Sequence, residues 1–171
     1  MIRALVLRRL ASAEKELGAS MDYLRHIARV SLRAFFKFAK IMPLAGYRRT
    51  LPAGPYHVAR IVATRDADCG TCVQIEVNLA KRGGVPAAVL RKVLGCRPAE
   101  LPEDLADAYR FSEAVVKATW DEDPLRERIR RRHGEEGLIE LAMAIAACRD
   151  FPVTKRALGY AKSCALVEVQ L

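Results

Sequence analysis

Apolar side chains recur at three- and four-residue intervals along most of the chain, the pattern of helices that each bury one stripe. The first such segment runs from about Arg3 to Leu17 and stops at Gly18. The second begins at Asp22 and runs to about Ile41, where Pro43 and Gly46 end it. Its apolar positions Leu24, Ile27, Ala28, Leu32, Phe35, Phe36 and Ala39 are interleaved with Arg25, Arg29, Arg33, Lys37 and Lys40. We read this face as core or subunit-interface packing, although its basic flank also suits a membrane surface. Pro52 to Pro55 is a turn, and Val58 to Thr64 continues a helix that carries His57 and ends near Asp66-Ala67-Asp68. Asp68 is the expected N-cap of a helix from Cys69 to Arg82, for which Gly83-Gly84 supply a left-handed C-cap. Pro86 starts a short helix stopped by Gly95, and Pro98 to Pro102 is a loop. Leu101-Pro102-Glu103-Asp104 opens a helix to about Trp120, and Asp123-Pro124 another to about Arg132. Gly137 to Arg149 and Phe151 to about Val167 complete a helical hairpin bent at Pro152. Every segment reads as helix, so the predicted class is all-α.

Composition agrees with helix packing. The chain has 171 residues, 51% hydrophobic and 6% aromatic, which suits one helical domain with a single core. Five cysteines form no regular framework and point to a reducing compartment, hence a cytoplasmic location. Cys96, Cys148 and Cys164 stand singly and read as buried structural thiols. No apolar run reaches the ~18 residues of a membrane span. Arginines interrupt the apolar stretch at Met1 to Leu10, so it makes a poor signal peptide. The net charge of +9 raises the question of nucleic acid. The densest basic run, Arg126 to Arg132, is interrupted by Glu127 and followed by Glu135 and Glu136. That is how a solvated helix face looks, and no aromatic residues interleave with it. Nucleic acid is therefore not expected, and an anionic substrate or acidic redox partner explains the charge as well.

The chemistry concentrates in Cys69-Gly70-Thr71-Cys72. Two thiols at this spacing close a disulfide with little backbone movement. A helix starting at the first places both near free N–H groups and the positive end of the dipole, which favours the reactive thiolate. On that helix Cys69, Cys72 and Glu76 share one face. His57 precedes Cys69 by twelve positions, on the other arm of a helical hairpin. Cys69, Cys72, His57 and Glu76 are also legal ligand types for zinc or iron. Structural zinc usually takes a second CxxC or a histidine pair, and this chain has neither, so no metal and no cofactor are expected. A non-catalytic interaction protein on the same scaffold is the other alternative.

The stretch from His57 to Val85 resembles the core of the alkyl hydroperoxidase D (AhpD)-like proteins of the carboxymuconolactone decarboxylase superfamily. Those proteins carry a Glu, eleven intervening residues, CxxC, three residues and a His. This chain has His57, eleven intervening residues, Cys69-Gly70-Thr71-Cys72, three residues and Glu76, so the cysteines match and the other two types are exchanged. Asn78 to Pro86 resembles the family's helix end and Gly-Val turn, and Val89 to Leu94 its next short helix. The likeness covers residues 52–165 as a core, with residues 1–50 as an N-terminal helical extension of the same single domain.

The resemblance implies an AhpD-like helical domain whose central hairpin carries the CxxC. It implies a homo-oligomer, a trimer or multiple of trimers, with a dimer also open. It further implies a thiol-dependent peroxidase or disulfide reductase acting on a hydroperoxide or disulfide, with a dithiol or protein electron donor. Cys72 would attack the peroxide, Cys69 would resolve the sulfenic acid, and His57 with Glu76 would form an exchanged proton relay. Because Glu76 then sits one turn from Cys72, its charge opposes the thiolate unless His57 compensates. Decarboxylation, the superfamily's other activity, is not expected, since those enzymes lack the CxxC.

Overall fold

The computed structural model describes residues 1–67 and 69–161, and among them every regular element is a helix. Helix α1 (Ile2–Leu17) ends at Gly18, whose left-handed backbone (φ 64°) closes it. The segment expected as one helix from Asp22 to Ile41 is three: α2 (Asp22–Val30), α3 (Leu32–Phe38) and α4 (Ile41–Ala45). Ser31 is the reason for the first break. Its backbone is extended and its Oγ accepts the Ala34 N–H at 3.1 Å, capping α3 instead of continuing α2.

Helix α5 (Ala53–Asp66) is the centre of the molecule. Pro55 stands in its first turn, where a missing N–H is harmless, so the expected turn at Pro52 to Pro55 is already helix. Every residue from Pro55 to Thr64 is buried. A helix with no solvent face fits a core position, and its polar residues His57, Arg60 and Thr64 are then buried as well. Helix α6 (Gly70–Arg82) packs on α5 through Val58, Ile61 and Val62 against Val73, Val77 and Ala80. Asp68, expected to cap α6, lies outside the described residues, and the N-cap position belongs to Cys69. Of the two glycines after α6, Gly84 takes the left-handed conformation (φ 82°) and Gly83 does not.

Helix α7 (Ala87–Leu94), a 3-10 turn at Pro98–Glu100, and α8 (Glu103–Lys117) continue around α5. Helix α8 ends three residues before Trp120, at Ala118 in the left-handed region (φ 50°). The span α9 (Glu122–Ala157) is two helices joined across a kink at Gly134 (φ 73°, ψ 177°), which falls between the expected helix ending near Arg132 and the one starting near Gly137. Pro152 lies inside α9 and does not end it. The expected continuation to Val167, and Cys164, lie outside the described residues.

Two clusters share α5. Leu51, Ala59, Phe111, Ile129, Leu141 and Ile145 join it to α8 and α9, and Ile61, Val77, Leu90 and Tyr109 join it to α6, α7 and α8. A third cluster, Leu10, Met21, Tyr23, Leu24, Ala28 and Phe35, is built by α1–α3 and the turn at Met21, with Tyr160 packed against it. That N-terminal unit is tied to the body by a few bonds. Asn78 Nδ2 donates to Leu17 O at 2.7 Å, Arg82 pairs with Glu16 at 2.8 Å, and Phe38 packs edge-on against Phe151. No helix among the described residues is long and apolar enough to cross a membrane. The basic run behaves as expected of a solvated face: Arg126, Arg128, Arg130 and Arg132 pair with Asp123, Asp107, Glu127, Glu135 and Glu103.

Candidate active site

Helix α6 starts at the thiols. Cys69 and Cys72 are free and buried, with their sulfurs 2.7 Å apart. The hydrogen bond shared by the two sulfurs lowers the Cys69 pKa against the opposing effect of burial. The Cys72 backbone N–H and the charges of Lys155 and Arg156 act in the same direction. The sharing pushes Cys72 up, as do burial and the nearby Cys69 and Glu76 charges. Cys69 stands at the N-cap and Cys72 one turn in, and of the two it is Cys69 whose thiol is pushed down and Cys72 whose thiol is pushed up.

The two sulfurs open onto different spaces. Cys72 lines a cavity of about 710 Å³ between α5, α6, α9 and the N-terminal helices. Cys69 lines a smaller pocket of about 470 Å³ with Asp22, Thr71 and Tyr160. Lys155 of α9 borders both spaces, and is buried with no ion pair among the described residues. Tyr23 of α2 completes the surroundings, its phenol pKa raised by burial first and then by both sulfurs.

Glu76 lies two turns from the start of α6, inside the large cavity, and is engaged elsewhere. Arg60 of α5 holds it bidentately, Nε to Oε2 at 2.7 Å and Nη2 to Oε1 at 2.8 Å, with both side chains about 6% exposed. Arg60 also donates to Tyr56 Oη at 2.7 Å and to the Ala45 carbonyl, which closes α4 and accepts from Tyr56 as well. The pair keeps Arg60 charged in spite of its burial.

His57 lines the same cavity but at its far end, beside Gly83. A Cβ at Gly83 would stand 2.5 Å from His57 Nε2, so glycine there makes room for the imidazole. His57 Nδ1 is buried without a partner, and no hydrogen bond joins the ring to Glu76 or to a sulfur. Burial, then the Arg60 and Arg48 charges, press its pKa down to about 4, so it is neutral near pH 7.

The structure thus brings Cys72, His57 and Glu76 to one cavity and leaves Cys69 in the neighbouring pocket, without assembling them around one point. Among the described residues no group of three or more His, Cys, Asp or Glu is placed to hold a metal ion. Cys148 is buried in the cavity wall, its thiol pushed up to about 12 by burial. Cys96, expected to be buried, is exposed in a turn at φ 56°. Arg60 and Lys155 are the site residues that sequence reasoning missed. A single arginine within Val58-Ala59-Arg60-Ile61-Val62 was the available signal, since such a cation needs a buried partner. Lys155 gave no signal among so many basic residues. No family model, curated protein or solved structure matches the chain.

Proposed function

We propose that the protein is a thiol-dependent oxidoreductase in which Cys69 and Cys72 cycle between dithiol and disulfide, reducing a hydroperoxide or a disulfide. The observation that carries this reading is the pair of free sulfurs 2.7 Å apart at the start of α6. The Cys69 thiolate attacks one oxygen of a hydroperoxide. The O–O bond breaks, Cys69 becomes a sulfenic acid, and the expelled alkoxide takes a proton from solvent and leaves as the alcohol. Cys72 then attacks the Cys69 sulfur, water departs, and the Cys69–Cys72 disulfide forms. With a disulfide oxidant the first step gives a mixed disulfide and a released thiol, and Cys72 displaces the second thiol. A dithiol donor returns both electrons by two exchanges. These roles reverse the family-derived assignment of Cys72 as attacker; the support for the reversal is the N-cap position of Cys69 together with the lowering of its thiol and the raising of that of Cys72.

In this reading Lys155 supplies the positive charge that the resemblance assigns to a histidine. It borders both thiols, whereas Glu76 is neutralised by Arg60 and His57 is uncharged near pH 7. Arg60–Glu76 and His57 shape the cavity beside Cys72.

Mass spectrometry after mild oxidation tests the reading. A Cys69–Cys72 disulfide, reversed by a dithiol, is expected. Alkylation of Cys69 in the Cys72→Ser background should follow a titration below that of an ordinary thiol. Lys155→Met should raise that midpoint by about 0.5–1 pH unit. Thiols that stay free under oxidant in the folded protein would overturn the proposal.

A further inference from the structure

The cavity beside Cys72 is far larger than a thiol reaction needs. Its volume of about 710 Å³ falls within the roughly 300–1,000 Å³ of small-molecule sites. Its walls are mostly apolar, built by Leu10, Leu24 and Phe35 on one side and by Ile75, Leu79 and Phe151 on the other. The first three belong to the N-terminal unit, so α1–α3 act as a roof over the body. At the mouth the roof leaves Phe36 49% and Met42 41% exposed.

The charges along the lining are one-sided. Glu76 is its one carboxylate, and Arg60 already neutralises it. Arg9, Arg48 and Lys155 also line the cavity, and none of them forms an ion pair among the described residues. Arg9 and Arg48 are exposed, which places two cations at the rim of an apolar chamber. Arg48 donates to Leu51 O at 2.9 Å and lies over the Tyr56 ring, neither of them an anion. An uncharged apolar ligand would therefore leave the cations without a counter-charge, and a cationic one would meet repulsion.

We propose that this cavity binds an amphiphilic anion, a hydrocarbon body with a carboxylate head. The body lies under α1–α3 and the head at Arg9 and Arg48. This binding function goes beyond the redox reading and does not rest on it, since the thiols contribute only a small part of the wall.

The experiment is a fluorescence titration of the full chain with 11-(dansylamino)undecanoate, repeated with the Cys69→Ser/Cys72→Ser variant. Saturable binding with a blue shift is expected in both, displaced by palmitate and about fivefold or more less well by dodecyltrimethylammonium. Ala13→Trp, which grows from half-buried α1 into the cavity, should abolish binding while circular dichroism remains helical. Should that variant fail to fold, Arg9→Glu with Arg48→Glu decides, because both are surface positions; each reversal should weaken the anion by about fivefold. No saturable binding, equal displacement by anion and cation, or indifference of the folded variants would overturn the proposal. Binding that persists without the thiols, in a protein that forms no disulfide, would sink the redox reading and leave this one standing.

Discussion

At the scale of single residues, the cavity side of α5 carries polarity that the core tolerates only because each group has been dealt with separately. Arg60 is paired, and His57 is kept neutral. The second solution has a pH signature. The pKa of His57 lies at about 4, below the ordinary 6.5 it regains on unfolding. Protonation therefore favours the unfolded chain. The stability that depends on neutral His57 is fully present above pH 6.5, declines as pH falls from 6.5 towards 4, and is gone below that. Chemical denaturation across this window should show a loss of on the order of 1–2 kcal/mol, allowing for partial solvent screening, and His57→Gln should flatten it. A slope unchanged in the variant would place the titration elsewhere. His57 and Glu76 were legible as chemically capable residues, and both do border the cavity. Their separate engagements were not legible. Spacing along a helix gives the face a residue occupies, but not which arginine from the next helix reaches it, nor that Gly83 opens a seat for the ring.

At the scale of elements, periodicity located the helices well and their ends unevenly. Gly18 and Gly95 stop α1 and α7 where composition says they should. Ser31 splits a continuous amphipathic pattern, because a hydroxyl that caps Ala34 N–H competes with the helical ladder, and hydrophobic spacing does not register that competition. Pro152, expected at the bend between two helices, is instead buried inside α9. Glu140 shows how one element fixes another. From α9 it accepts the N–H groups of Arg49, Thr50 and Leu51 at 2.9 Å each, fixing the loop that delivers α5. Burial opposes its charge, yet these backbone donors hold its carboxyl below the ordinary range. Glu140→Ala leaves three donors without an acceptor, and a loss of about 2–4 kcal/mol is expected in urea unfolding. Glu140→Gln, which keeps one carbonyl, should lose less. Equal stability of both variants with the parent would mean that the loop is held by other means.

At the scale of the molecule, the two clusters that share α5 and the separate cluster of α1–α3 set up unequal stability. Opening α5 exposes residues from Pro55 to Thr64 on every side and breaks the Arg60–Glu76 pair, so it requires the whole core to come apart. Lifting α1–α3 exposes one small cluster, separates Phe38 from Phe151 and His26 from Tyr160, and breaks the bonds from Asn78 and Arg82, the latter exposed and worth little. Such a unit opens at a lower free energy than global unfolding. Native-state hydrogen exchange should therefore find the amides of α1–α3 exchanging together, at least tenfold faster than those of α5, because even ~1.4 kcal/mol gives that ratio. The roof motion also has a chemical consequence. Tyr23 and Leu24 stand over Cys72, so lifting the roof exposes the inner thiol. Alkylation of Cys72 in a Cys69→Ser background should track the exchange rate of α2 and not that of α5. Equal protection of the two helices, or Cys72 alkylation that follows α5, would show that the N-terminal helices are an inseparable part of one core.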